Sequence, residues 1–410
     1  MTYKLKYLLI LILTCSFTLG IRNTSEASMI TKDIIHKKIY IEDIDISNCT
    51  IDEAIKKVSK KYTPNPIKLT YEDKVFNFNP SDIDLNYNVD KAIKEAYNYT
   101  RTDSTFENIK RKLSLDFAKD YHRVDLVATY NEAKLSEVIT NICNQIDVDE
   151  VNATIVIEDS GAIKTTPSSE GKEVEVSKLK EEIYTMITDK KLSDIQIPVK
   201  ISIPEILTED VTAIDTVLGQ FTTTFSDNNS RGSNIHVAAE HTSNKLIMPF
   251  KEFSYNNSTG ARTWHNGYKT AKVIVGGKYV NGEGGGVCQV STTIYNAALL
   301  AAMEITEVHN HTFVSHYVPA GRDATVSYGY TDFKFKNPLR HPVYIKNITN
   351  NGVITSKIYG CSQDRERLYI TTKAKYDKDK LIVDTHRIYL DEEGNTIRDE
   401  LVNKSTYTRK

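Results

Sequence analysis

Cys288 follows Gly284-Gly285-Gly286-Val287 and precedes Gln289-Val290-Ser291-Thr292-Thr293-Ile294-Tyr295-Asn296-Ala297-Ala298-Leu299-Leu300. Three glycines cannot lie inside a helix without cost, so they predict a turn. The Ala- and Leu-rich run predicts a helix, with Val290, Ile294, Ala297, Ala298 and Ala301 on one face. Cys288 then sits at or just before the helix start. There the backbone N–H groups are unpaired and carry about half a positive charge. A thiol so placed has a lowered pKa and is partly thiolate near neutral pH. The same N–H groups can hold an oxyanion after attack on a carbonyl. Gly285 and Gly286, lacking Cβ, let a substrate backbone come close. The competing reading is a buried cysteine that merely opens a core helix. A phosphate-binding loop fits less well, because its Lys and spacing are absent.

A cysteine nucleophile needs a base or an ion-pair partner. Downstream lies His309-Asn310-His311-Thr312-Phe313-Val314-Ser315-His316-Tyr317. Strand alternation would put His309, His311 and Phe313 on one face, continued by Ser315 and Tyr317, with His316 on the other. A Cys at a helix N-terminus and a His on an adjacent strand is an arrangement on which unrelated acyltransferases and peptidases converge. The group that orients the imidazole could be Asp323, Asp332 or a backbone carbonyl. A zinc site built on the HxH pair is the rival chemistry. No further Cys or carboxylate cluster completes it. The plainest alternative is that these His are surface or satisfied core residues.

These residues need elements to position them. The chain has 410 residues, 40% hydrophobic and 26% charged, with net charge −2. That predicts two or three globular domains and gives no basic field for nucleic acid. Lys4 and Lys6 precede an apolar run ending at Gly20, which reads as a signal peptide or short anchor over residues 1–28. Cys15 also raises a lipoprotein reading, though Thr14 suits a lipobox poorly. The body is therefore expected outside the membrane, anchored or secreted. Cys49, Cys143, Cys288 and Cys361 are too dispersed for a compact disulfide framework, so most are expected to be free.

Residues 29–64 read as a lead-in with a short strand and a helix opened by a capping box, Thr50 with Glu53. From 65 to 205 the chain looks duplicated. Pro80 to Tyr97 aligns with Pro167 to Tyr184, each a loop, an extended piece and an amphipathic helix after strand-like sequence. Seven of the ten His fall between 236 and 341, together with the single Trp264. That concentration makes residues 221–362 the expected functional domain, with a β-rich tail at 363–410. The fold class is α+β: two related lobes, then a mixed α+β domain whose Cys-bearing helix packs on an antiparallel sheet.

At RGSNIHVAAE, GEGGGVCQVSTTIYNAAL, HNHTFVSHYVPAGRDATVSYGYTDFKFKN and the closing strands, about Arg231 to Gly360, the sequence resembles the VanW family. The preceding duplicated part resembles, more weakly, the peptidoglycan-binding module that often comes before VanW domains. Pro249-Phe250 departs from the family, which tends to have Pro-Gly there. Position 316 is variable in the family. The resemblance implies a cell-wall protein with peptidoglycan stem peptides and glycan strands as partners, no cofactor and no metal. It further implies L,D-transpeptidation. Cys288 would attack the carbonyl before a stem's terminal D-Ala, and a neighbouring stem's amine would resolve the thioester into a 3→3 cross-link. His311, ahead of His309, would be the base, and N–H groups near Cys288 and Gln289 the oxyanion hole. Ser291 and Thr292 would cap the helix or line the site beside Tyr317, and Arg322 and Asp323 would meet the stem's charged groups. A non-catalytic wall-binding or resistance accessory protein is the main alternative. A Cys-dependent peptidase or carboxypeptidase, with water as acceptor, is the second.

Overall fold

A computed structural model describes residues 33–408 apart from 118, 276 and 277. The expected leader at 1–28 lies outside the described residues. Among those described, no helix is long and apolar enough to cross a membrane. The chain forms two compact units. One takes the chain up to Asp149 and again from Lys172 to Ile201; the other takes Glu150–Gly171 and Ser202–Lys410.

In chain order the first part contains β1 (Ile39–Ile41), β2 (Ile44–Asp45), α1 (Ile51–Lys61), β3 (Ile67–Tyr71), β4 (Lys74–Phe78), α2 (Val89–Asn98), α3 (Thr105–Phe117), β5 (His122–Val124) and α4 (Glu132–Ile146). It continues with β6 (Thr154–Ile157), β7 (Ile163–Thr166), β8 (Gly171–Val174), α5 (Val176–Asp189), β9 (Ile195–Gln196) and β10 (Val199–Ser202). The capping box forms: Thr50 Oγ1 accepts from Glu53 N–H and Glu53 accepts from Thr50 N–H at 2.8 Å. Helical spacing supplies the core of this unit. Ala92, Ile93 and Ala96 of α2, Leu135, Ile139 and Ile142 of α4, and Leu179, Ile183 and Ile187 of α5 are all buried. Two small sheets, ordered β2–β1–β5 and β4–β3–β9, complete it.

Both halves of the expected duplication have a hairpin and then a helix, but a 3-10 turn at Pro80–Ile83 lies between them in one half and β8 in the other. A hairpin, β3–β4 or β6–β7, leads to a helix that starts at Val89 or Val176. The copies are not separate lobes, however. α5 belongs to the first unit, whereas β6–β7 belongs to the second, where Ile155 and Ile157 pack with Val211, Tyr344 and Tyr359. Alternation shows that a strand has an apolar face, not which body buries it.

The second unit adds α6 (Thr208–Thr212), β11 (Thr216–Thr224), α7 (Ser230–Thr242), β12 (Lys245–Ile247), β13 (Glu252–Ser254), α8 (Tyr255–Thr259), β14 (Thr270–Val275), β15 (Lys278–Glu283) and α9 (Val287–Leu300). Then come β16 (Glu304–Glu307), β17 (Lys334–Lys336), β18 (Val343–Asn350), β19 (Val353–Gly360), β20 (Leu368–Asp377), β21 (Lys380–Leu390) and β22 (Thr396–Thr408). An antiparallel sheet ordered β11–β19–β18–β12 carries α9 on one face. At Gly219 in β11 an added Cβ would lie 2.5 Å from the Ala297 carbonyl oxygen, so helix and strand meet only because that residue is Gly. α9 is buried on all sides, as befits the central helix of a unit. The chain end is no loose tail. β20–β21–β22 form an antiparallel meander within this unit.

The strand expected at 309–317 does not form. Between β16 and β17 the backbone is irregular apart from an isolated bridge at Ser327 and Thr331. Side chains take the hydrogen bonds a neighbouring strand would have taken. Ser291 donates to the Ala324 carbonyl, Thr292 accepts from Ala324 N–H, and Asn296 donates to the Arg322 carbonyl. Alternation cannot reveal such a segment, because its partners are scattered through the chain.

Candidate active site

The glycine turn is shaped by its own surroundings. Gly286, the N-cap of α9, has φ +111, and a Cβ there would meet Arg231 at 3.0 Å. A Cβ on Gly285 would lie 2.6 Å from the Lys272 carbonyl. What crowds Gly285 and Gly286 is thus this chain, not the substrate backbone expected from sequence. Buried Asn234 pins the turn by donating to the carbonyls of Gly285 (3.0 Å) and Lys269 (2.9 Å). Gln289 N–H is tied back to Gly286 O at 3.0 Å and Val287 N–H to Gly284 O at 3.2 Å. Gln289 therefore does not offer the free donor expected of it. Among the described residues no acceptor lies on Cys288 N–H.

Cys288 is the second residue of α9 and half-buried, its Sγ 3.6 Å from the Val326 carbonyl oxygen. His311 stands beside it. Burial pushes the thiol up, but the His311 imidazole, by hydrogen bond and by charge, and Arg262 more remotely, bring it below its ordinary value. Burial likewise pushes His311 down, and Asp323 and the thiolate overcome it, raising the imidazole to about 10. Both directions favour the charged forms, thiolate with imidazolium.

Asp323 fixes that imidazole. Its Oδ2 accepts from His311 Nδ1–H at 2.6 Å and from His311 N–H at 2.7 Å. Ring and backbone are thus gripped by one carboxylate oxygen. The carboxylate is 1% exposed. Asp332, the other sequence candidate, is used elsewhere. It accepts from Ser254 Oγ at 2.5 Å and from Asn256 N–H at 2.9 Å, holding the start of α8.

The remaining expected residues divide. Tyr317 is brought to the site: its ring lies edge-on to His311, and its hydroxyl is pushed up by burial and by the Cys288 charge, with Thr292 as hydrogen-bond partner. Thr292 and Ser291 bond to Ala324 and do not cap α9. His309 turns away, its Nε2 3.1 Å from Glu307. The two HxH rings are thus committed to different carboxylates, and among the described residues no group of three ligands gathers for a metal. Arg322 donates to Asn296 Oδ1 at 2.6 Å and lies over Phe221, so it braces α9. The Gln289 side chain accepts from Arg231 and donates to Thr223 and Thr224. Arg262 and Tyr407 went unnoticed in the sequence. Arg262 lies inside the stretch that resembles the family but no local pattern gives it a role, and Tyr407 lies in a segment read as a tail, where only its alternation with Thr406 and Thr408 marks a strand.

The fold and site define a two-unit α+β protein with a Cys–His–Asp constellation at a helix N-terminus. Residues 230–359 match the family "VanW like protein", and residues 76–196 match "Putative peptidoglycan binding domain". The chain belongs to the VanW family and is a peptidoglycan-associated member of it. It is 35% identical over 243 residues to "Uncharacterized protein YoaR" of Bacillus subtilis (strain 168), covering 59% of this chain and 79% of that protein. It is 28% identical over 109 residues to "Vancomycin B-type resistance protein VanW" of Enterococcus faecalis (strain ATCC 700802 / V583), covering 25% of this chain and 40% of the relative. No solved structure matches. The departure at Phe250 falls on φ +62, a left-handed conformation that suits the Gly expected there.

Proposed function

We propose that the chain is a peptidoglycan L,D-transpeptidase acting outside the membrane at the cell wall, with Cys288 as nucleophile. The observation that carries this reading is the Cys288–His311–Asp323 arrangement, with Asp323 Oδ2 2.6 Å from His311 Nδ1. The thiolate attacks the carbonyl between the third residue of a stem peptide and its terminal D-Ala. Cys288 N–H and the Tyr317 hydroxyl donate to the oxyanion. His311 gives its proton to the departing D-Ala amine, and a thioester remains. The side-chain amine of a neighbouring stem then attacks the thioester. It loses its proton to His311, a 3→3 amide forms and the thiolate is restored. Asp323 keeps the ring oriented and offsets its charge throughout. The first unit, which carries most of the peptidoglycan-binding match, supplies residence on the wall.

The test incubates the protein, with and without Cys288→Ala, with tetrapeptide muropeptides. Cross-linked dimers and free D-Ala are expected from the wild type and neither from the variant. Free D-Ala without dimers would make water the acceptor. A Cys288→Ala protein with unchanged products would remove the cysteine from the chemistry and leave a wall-binding role.

A further inference from the structure

Asp323 has a second partner that lies outside the family match, which ends at residue 359. Its Oδ1 accepts a hydrogen bond from the Tyr407 hydroxyl. The phenol oxygen is itself occupied, accepting from Gly321 N–H at 2.7 Å. The hydroxyl proton therefore has one direction left, toward the carboxylate. Tyr407 is 1% exposed and Asp323 equally so. The strand that bears Tyr407 also grips the His311 segment. Thr408 N–H donates to Thr312 O at 2.8 Å, and Asn310 Nδ2 donates to Thr406 O at 2.8 Å. On the neighbouring strand β21, Arg387 donates to Met303 O at 2.9 Å, just past the C-terminal end of α9. The C-terminal meander thus reaches both the far end of the Cys-bearing helix and the carboxylate behind the His.

We infer that Tyr407 is a positioning residue for the Cys288–His311 pair, acting through Asp323, and that the C-terminal meander is an integral part of the active site. The inference rests on the ion pair invoked above but not on the identity of the acceptor. A buried carboxylate oxygen stripped of its donor is costly and must rotate or take up a proton. Either change removes the oriented negative charge from the imidazolium, and the thiolate loses its counter-ion. Tyr407 needs no contact with substrate to do this.

The test is the pH profile of Cys288 alkylation by iodoacetamide in the full chain, which needs no peptidoglycan substrate. Tyr407→Phe is expected to move the thiolate titration up by about one unit and to slow alkylation near neutral pH about tenfold. In an Asp323→Asn background the same change should add nothing, because its route is gone. His386→Ala, which breaks the pair with Asp399 between two strands of the meander but touches neither the phenol nor the His311 segment, should lower stability and leave the profile in place. A Tyr407→Phe protein with the wild-type profile, or an additive effect beside Asp323→Asn, overturns the inference. A second measurement needs no change at 407. The carbon-13 resonance of the Tyr407 ring should follow the titration of the pair and stop doing so in Cys288→Ala. A flat resonance in the wild type also overturns it. Failure of muropeptide turnover with these outcomes intact would count against the transpeptidase reading alone.

Discussion

The two units bury different things. In the first, among the described residues, Glu42 and Thr100 are the buried polar side chains, and the core is otherwise Ile, Leu, Val and Ala with a few aromatics. Glu42 is fully engaged, accepting from Leu126 N–H, Arg123 and Lys190. In the second, buried polar residues run from Thr223 to Ser405 and crowd α9, which itself contributes Gln289, Ser291, Thr292, Thr293 and Asn296. An apolar core tolerates any shape-conserving change. A core of paired polar groups holds one arrangement, since each unmade bond is penalised in full. The second unit is therefore built like a site, and the first like a holder.

The sharpest way to probe that contrast is Asp323→Asn. It keeps the shape but loses the charge and can present an N–H where an acceptor is needed. D-Ala release from muropeptides is expected to fall about 10³–10⁴-fold, measured by product analysis. The pH dependence follows from the directions of the shifts. His311 is raised to about 10, so it binds its proton more tightly folded than unfolded. Its contribution to stability is complete below about pH 6.5 and vanishes as pH rises through about 10. The thiol works oppositely. Its lowered folded value contributes above the ordinary thiol range and is lost as pH falls through the folded value. From the thiol's folded value up to its ordinary value of 9.0 the two contributions offset each other, so the wild type should lose stability more steeply than Asp323→Asn only above that, as pH rises toward about 10.

Next in size is Arg387→Met. The guanidinium is 1% exposed, donates to Met303 O, and pairs with Glu400 at 3.2 Å. Met fills the volume but leaves the carbonyl without its donor. A loss of about 2–4 kcal/mol is expected in urea unfolding of the second unit. A neutral result would show that this polar core is no more demanding than an aliphatic one. In the first unit Ile183→Val, at a position 1% exposed, should cost only about 1 kcal/mol.

Legibility in the sequence follows the same divide. Elements stabilised by periodic apolar faces could be read directly: α1 from its capping box, α2 and α5 from helical spacing, β3–β4 and β6–β7 from alternation. Cys288 was legible because glycines and a helix former meet at one point. His311 was named for chemistry its residue type allows, but the strand meant to carry it is absent, since the Asp323 carboxylate, Thr325 N–H and Thr408 N–H hold that backbone. The division of β6–β7 from α5 and the reach of Tyr407 back to Asp323 depend on long-range contacts. No local pattern encodes such contacts.

The smallest effect tests the holder. Thr50→Ala removes one hydroxyl from the capping box of α1, where Glu53 still accepts from residue 50 N–H. The bond from Glu53 N–H to that hydroxyl lies at an exposed helix start, where water can take the place of the hydroxyl. A loss of about 0.5–1 kcal/mol is expected, read as faster hydrogen exchange confined to the first turn of α1. Alkylation of Cys288 should keep its rate and its pH profile. A changed profile would mean that the first unit tunes the thiolate, and the division into holder and site would fail.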